Sequence, residues 1–208
     1  QDRGDRVSEA SAALHHLLDE ALATVQRTPT LAAFAGETLD GPLPLTVPRH
    51  RSFPAVARLA CYGKLCTDET RALTDAVRNA APYLAWQQTY SAEEVGPAFL
   101  DAYAWFNLVS PEGPFHAPDI RVAIGTWGHG LHYPRHAHAP AEVYYVIAGG
   151  AVFETDGQPD AWLSPGETRT HRPNVMHAAR MSDGPLLALA LWRGEALMAR
   201  STFEAAAP

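Results

Sequence analysis

Cysteine is nearly absent from the chain, with Cys61 and Cys66 the only two in 208 residues. Two are too few for a disulfide framework, so stability has to come from a packed core rather than from covalent staples. Both lie far in sequence from the histidine-rich stretch, which argues against a thiolate metal site. No run approaches the roughly 18 consecutive apolar residues that a bilayer span needs. The opening Gln-Asp-Arg-Gly-Asp has neither the basic nor the apolar part of a secretory leader. A reducing cytoplasm is the expected compartment, with no membrane as partner. Positive charge is in deficit: 16 Lys and Arg face 23 Asp and Glu, for a net charge of −7. No basic stripe is left to neutralise phosphates, and nucleic acid is excluded as an expected partner. Internal repeats and low-complexity tracts are also missing.

What is present fits an ordinary globular chain, 47% hydrophobic and 19% charged. Its length suits one domain, or one domain with a sizeable extension. The first half reads as helical. Leu14, Leu18, Ala21, Leu22 and Val25 recur on one face of a helix over 8–26. Thr67, followed by Asp68 and Glu69, is expected to cap a second helix carrying Leu73, Ala76, Val77 and Ala80, which Pro82 ends. Ser91 with Glu94 forms a capping-box pattern. Gly96-Pro97 restarts a helix expected to carry Phe99, Leu100, Tyr103 and Phe106. The Pro-rich connector over 39–54 shows no periodicity.

After the turn-rich Ser110-Pro111-Glu112-Gly113-Pro114 the character changes. Ile120, Val122 and Ile124 alternate as in a half-buried strand. Short strand-like runs follow at 143–147, 151–154, 161–163 and 186–192, broken by Gly149-Gly150, Asp156-Gly157, Pro165-Gly166 and Asp183-Gly184. Strands this short and this frequent suggest an antiparallel barrel or a double-sheet jelly roll. The division is therefore placed between a helical segment over 1–114 and a β-barrel over 115–208.

Within that second part, His136, His138 and Glu142 fall inside seven residues. Two histidines two apart share one side of a strand. Glu142, across a Pro-containing bend, is expected to return to the same point from a pairing strand, and His177 to join from a second hairpin. Three nitrogens and one oxygen converging in this way suit one divalent transition metal ion. Fe, Zn, Mn, Ni and Co all remain open. Arg135 and Arg169 are candidate carboxylate partners, while His129, His132 and His171 fit no motif and are expected in a supporting shell or at the surface.

Gly130-x5-His136-x-His138-x3-Glu142-x6-Gly149 resembles the first cupin motif position for position. Pro165-Gly166 and Pro173-Asn174-Val175-Met176-His177 resemble the second, with its usual Gly missing and one fewer step from Pro to His. The resemblance implies a cupin jelly-roll barrel preceded by a small helical cap, a metal held by His136, His138, Glu142 and His177, and frequent dimerisation. A narrower resemblance is to the cupin-type dimethylsulfoniopropionate lyases. It rests on Tyr144, two residues after Glu142, on Tyr133 ahead of His136, on Trp192 late in a strand, and on a helical segment of similar size. It implies cleavage of a small zwitterion, dimethylsulfoniopropionate, to dimethyl sulfide and acrylate.

The chemistry of that reaction suits these residues. The proton to be removed lies α to a carboxylate and is barely acidic until a cation draws charge from that carboxylate. The base must be stronger than an ordinary carboxylate. Tyr144 shares a strand face with Glu142 and is the expected base, with Tyr133 the second candidate; a nearby dication favours the phenolate. Dimethyl sulfide leaves neutral and needs no acid. A sulfonium is held by aromatic faces, and Trp192, Trp127 and Tyr133 are the candidates. Tyr133 stands at the wrong parity to face the metal unless Pro134 introduces a bulge. The alternatives are another metal-cupin enzyme, such as an Fe-dependent dioxygenase or an isomerase, and a non-catalytic cupin that binds a small acid.

Overall fold

The computed structural model describes residues 2–204. Helix α1 (Asp2–Arg27) buries Leu14, Leu17, Leu18, Ala21 and Val25 along one stripe, as its periodicity requires. It is followed by α2 (Pro29–Ala35), α3 (Leu59–Tyr62), α4 (Arg71–Ala80), α5 (Ala92–Val95) and α6 (Pro97–Leu100). The capping box forms at α5, where the Ser91 backbone N–H donates to the Glu94 carboxylate at 2.8 Å.

Two helix expectations need correction. The helix expected from Thr67 starts at Arg71 with Thr70 at its N-cap. The Thr67 N–H donates to the Thr70 hydroxyl at 3.1 Å, which closes a separate turn ahead of α4. The helix expected to run through Tyr103 and Phe106 stops at Leu100, and those residues belong to β1 (Tyr103–Ser110). The Gln88 amide donates to the carbonyls of both Leu100 and Tyr103, satisfying acceptors that a continued helix would have used.

The remaining strands are β2 (Phe115–His116), β3 (Arg121–Trp127), β4 (His132–Ala137), β5 (Ala141–Gly149) and β6 (Ala151–Thr155). They continue as β7 (Gln158–Leu163), β8 (Thr168–His171), β9 (His177–Arg180), β10 (Leu186–Arg193) and β11 (Thr202–Phe203). They form a six-stranded sheet in the order β2-β1-β3-β10-β5-β8 and a five-stranded sheet in the order β11-β4-β9-β6-β7. One apolar cluster joins Tyr103, Trp127, Val146 and Leu186 of the first sheet to Tyr133, Phe153, Leu163 and Ala179 of the second. The two sheets thus face each other across a shared interior, the jelly-roll architecture expected of a cupin. Because β1 sits between β2 and β3, the barrel begins near residue 103, ahead of the boundary placed at 115.

The helices cover the outer face of the six-stranded sheet. Val143, Tyr145 and Ile147 of β5, and Leu187, Leu189 and Leu191 of β10, pack in one cluster with Leu14, Leu17, Leu73 and Val77 of α1 and α4. Residues of the opposite parity, including Tyr144, Val146, Ala188, Ala190 and Trp192, belong to the barrel interior. A sheet covered on both faces reads as a continuous apolar run, which is why β5 and β10 lack the alternation of a half-exposed strand. The helical segment is therefore the second layer of the core. No helix among the described residues is long and apolar enough to cross a membrane.

β5 ends in a turn that only glycine fits. Gly149 has φ +73°, and a Cβ there would lie 1.8 Å from the Pro185 carbonyl oxygen, beside the Gly149–Leu186 pair that closes β5 onto β10. Replacing Gly149 by Ala is expected to lower stability by about 3 kcal/mol or more, read as a lower midpoint in urea unfolding. An unchanged midpoint would show that this turn relaxes freely.

Candidate functional site

Three imidazoles meet one carboxylate at the centre of the barrel. His138, Glu142 and His177 each bring a ligand atom to within 4.8 Å of the others, and all three are buried. His177 starts β9 and pairs in register with His136 on β4. Glu142 arrives from β5, in the facing sheet, rather than from a strand paired with β4 as the sequence reading expected. The loop that delivers His177 turns at Asn174, which has φ +60°. Asn tolerates that conformation better than other non-glycine residues, which accounts for a second motif that lacks its glycine.

Backbone carbonyls fix each ring. The Nδ1–H groups of His136, His138 and His177 donate to the carbonyls of Pro134, Pro140 and Val175 at 2.7, 2.9 and 2.8 Å. This leaves every Nε2 as a bare lone pair. His138 Nε2 lies 3.1 Å from Glu142 Oε2 and His177 Nε2 lies 3.3 Å from the same oxygen. Lone pairs that face one another across such distances call for a proton or a cation between them. The His177 Nε2 is also buried without a hydrogen-bond partner among the described residues. The donor set thus fits a divalent transition metal, and two histidines plus a carboxylate are a usual set for a site that keeps a position open to substrate. His136 stands beside this group, its ring 4.2 Å from that of His177, but its nitrogens fall outside the convergent cluster.

His171, placed by the sequence reading in a supporting shell or at the surface, is fully buried at the end of β8. Its Nδ1–H donates to Glu142 Oε2 at 3.1 Å and its ring stacks on His177 at 3.9 Å. Glu142 is opposite His171 in the β5–β8 register, a pairing that no local spacing announces. Burial alone would raise the Glu142 pKa, but positive charge at His138 and the hydrogen bond from His171 hold it well below the usual carboxylate range. Burial pushes the His136 and His171 rings down, to about 3 and about 4.

The expected aromatic groups separate into two sets. The Trp192 ring is packed closely: His138 stacks on it at 4.1 Å and the Arg121 guanidinium lies over it at 4.4 Å. Its indole N–H makes a short hydrogen bond, 2.5 Å, to Glu142 Oε1. Trp192 thus bonds the carboxylate through its N–H while its ring still lines the cavity. Tyr133 and Trp127 do stand together, with ring centroids 5.8 Å apart, in a cluster with Tyr90, Phe99 and Tyr103. A register shift between Tyr133 and His136 supplies the bulge on which an inward Tyr133 depends, and the ring packs against His136 at 4.1 Å. The Tyr133 and Tyr90 hydroxyls share a 2.8 Å hydrogen bond.

Tyr144 is buried beside Glu142, its ring 5.7 Å from His171 and 6.3 Å from Trp127. Burial and then the Glu142 carboxylate raise its pKa well above that of free tyrosine, so the chain by itself keeps a neutral phenol there. Burial raises Tyr133 likewise. A cavity of about 310 Å³ opens onto Glu142, Tyr133, Tyr144, Trp127 and Trp192, with Met198–Ser201 at its rim. That volume suits a small molecule. Arg135 and Arg169, expected as carboxylate partners, both face away from it. Arg135 pairs with Asp156 and Glu204 on the exterior, and Arg169 donates to Thr155 and to the Pro159 carbonyl.

Known proteins share the sequence pattern and the fold of this chain. The dimethylsulfoniopropionate lyase family model matches residues 30–188. The chain is 33% identical to the dimethylsulfoniopropionate lyase DddQ of Ruegeria pomeroyi over 191 residues, which cover 91% of this chain and 93% of that protein. The crystal structure of that enzyme superposes with a TM-score of 0.85, covering 92% of this chain and 96% of its own at 33% identity. A chain from the crystal structures of the DMSP lyases RdDddP and RnDddQII superposes with a TM-score of 0.89 at 36% identity. It covers 94% of this chain and 100% of its own.

The depressed imidazoles carry a pH consequence. His136 and His171 stay neutral in the folded state down to about 3 and about 4, whereas in the unfolded chain they protonate near 6.5. Between those values the unfolded state binds more protons, so stability falls as pH falls, by about 1 kcal/mol per pH unit for each ring. The raised His138 contributes nothing further in that window, since it is protonated in both states below its unfolded value. Chelator-treated protein is expected to lose denaturant resistance steeply from pH 6.5 to 5; a flat profile would show that these rings protonate within the fold.

Proposed function

The chain belongs to the dimethylsulfoniopropionate lyase family, and from that premise we propose that it is a metal-dependent carbon–sulfur lyase that cleaves dimethylsulfoniopropionate to dimethyl sulfide and acrylate. The observation that carries the reading is Tyr144, a buried phenol two residues from Glu142 on the inner face of β5, beside a His–Glu cluster and an aromatic cavity.

His138, Glu142 and His177 are the residues that would hold the ion, with His136 adjacent. A divalent cation held there would supply Lewis acidity, drawing charge from the substrate carboxylate and favouring the tyrosine phenolate. His171 and Trp192 each bond one oxygen of Glu142 and keep that side chain in place. Tyr144 Oη takes the proton from the carbon α to the carboxylate. The electron pair of that C–H bond forms the new carbon–carbon double bond, the bond from the β carbon to sulfur breaks, and its pair stays on sulfur. The products are acrylate and neutral dimethyl sulfide, with the proton left on Tyr144.

The aromatic rings of Tyr103, Trp127 and Tyr133 line the cavity, offer faces for the sulfonium and exclude water from the proton being moved. Tyr133 donates to or accepts from Tyr90 and packs on His136, which makes it a positioning and binding group; Tyr144 is nearer the Glu142 carboxylate and is the base in this reading.

Incubation of the metal-loaded protein with dimethylsulfoniopropionate is expected to release dimethyl sulfide, detectable by headspace gas chromatography. No product with any of Fe, Mn, Zn, Ni or Co would sink the reading. Tyr144→Phe is expected to keep its metal by elemental analysis while turnover falls at least a hundredfold, the loss of a positioned base. Turnover retained in that variant would move the base to Tyr133.

A further inference from the structure

Arg121 is a buried guanidinium in the middle of the site with no acid of its own. It opens β3, and its side chain points into the barrel with Ala123, Gly125 and Trp127. Only 7% of the residue is exposed. Its Nε–H donates to the Asn107 amide oxygen at 2.8 Å, and Nη1 donates to the Leu197 carbonyl at a long 3.4 Å. Those bonds use two of the five N–H donors a guanidinium carries. Among the described residues no carboxylate pairs with it, although it lines the same cavity as Glu142. Burial pushes its pKa down, but from a starting value so high that the group stays charged.

A buried cation without a partner is costly, and the fold does more than tolerate this one. β3 lies between β1 and β10, and each flanking strand sends an indole over the guanidinium. Trp105 of β1 lies 4.6 Å from it and Trp192 of β10 lies 4.4 Å from it. The two rings hold the plane of the fork and stabilise its charge by cation–π attraction, while its remaining donors stay unused along the edge. A planar fork held in this way matches the two oxygens of a carboxylate.

We infer that Arg121 anchors the substrate carboxylate and sets the polarity of binding, forcing the cationic end of the substrate towards Trp127, Tyr133 and Tyr103. The inference rests on the lyase reading for the identity of the substrate, but the geometry applies to any small carboxylate bearing a cation on its third carbon. Charge supplies the direction. A sulfonium against the guanidinium is repelled, and Trp192 already packs against both His138 and Arg121, so the uncharged rings of Trp127, Tyr133 and Tyr103 are the faces left for it. Arg121 would touch substrate without taking part in the proton transfer, and its loss should appear in binding before it appears in turnover.

Calorimetric titration of the metal-loaded protein with propionate, and separately with trimethylsulfonium, tests this without needing turnover, so a protein inactive on dimethylsulfoniopropionate would still give an answer about Arg121. In Arg121→Gln, propionate is expected to bind about ten- to a hundredfold more weakly than in the wild type, the loss of a charge-assisted pair. Trimethylsulfonium is expected to bind as well or better. Arg121→Lys keeps a buried charge but no fork, and should fall between the two for propionate; it also serves if the Gln variant does not fold. In an active enzyme, KM for dimethylsulfoniopropionate should rise by a similar factor with kcat less affected. Unchanged propionate affinity in either variant would overturn the inference. So would an equal weakening of both probes, which would assign Arg121 to the support of Trp192 and Glu142, and so would a wild type that binds no propionate.

Discussion

Placing an ionised carboxylate at the centre of a β-barrel costs several kcal/mol unless donors and positive charge surround it, and the interior of this barrel is organised around meeting that demand for Glu142. One oxygen receives the Trp192 N–H; the other faces His138, His171 and His177 within 3.3 Å. Each of those partners comes from a different element, so the site forms only when β5, β8, β9 and β10 and the end of β4 are all in register. The same demand explains the backbone carbonyls on three Nδ1 atoms. They leave the opposite nitrogens as lone pairs aimed at the carboxylate, an arrangement that calls for a proton or a cation at its centre.

The strand pattern provides the scaffold for this convergence. β3, β5 and β10 are covered on both faces, and parity alone decides which side chains enter the barrel and which lie under the helices. Glu142 and Tyr144 on β5, Ala190 and Trp192 on β10, and Arg121 and Ala123 on β3 share one parity and line one cavity. Their neighbours Val143, Leu191 and Val122 join α1 and α4 in the other core cluster. A single-residue slip in any of these strands would exchange the catalytic face for the packing face. The glycine turn at 149 matters for that reason, since it fixes where β5 ends and where the return to β10 begins.

Much of this was legible in the sequence because it depends on local spacing. Parity places Glu142 and Tyr144 together, the His136–Glu142 run contains two members of the convergent His–Glu cluster, and the turn dipeptides delimit most of the strands. Residues whose role depends on a partner far along the chain gave no such signal. His171 matches no motif, because what makes it part of the site is its register opposite Glu142 across β5 and β8. Trp192 has the character of a cation-binding aromatic, and no local spacing announces that it packs against His138 and Arg121. Tyr103 was read as helical because the Pro97 restart continues a plausible apolar period; the break comes from Gln88, whose amide closes the helix end from twelve residues upstream. Arg121 differs from these, because its signal is local. A lone arginine at an inward parity in an otherwise apolar strand is a buried charge, and a buried charge requires an explanation.

That charge gives the cavity a direction. Glu142 and its histidines stand at one side, Arg121 packs against Trp105 and Trp192, Arg200 lies over Tyr90 at the rim, and the rings of Tyr103, Trp127 and Tyr133 carry no formal charge. Aromatic faces attract cations by their quadrupoles and hold neutral molecules only through dispersion and burial. A zwitterion whose cationic end sits among those rings is held at both ends. Elimination removes the cation and leaves the anion, so the grip on the sulfur-bearing fragment weakens at the moment the bond breaks, while the carboxylate fragment stays in the charged half. The asymmetry that orients the substrate therefore also separates the affinities of the two products, because both effects come from the same unequal placement of charge along one cavity.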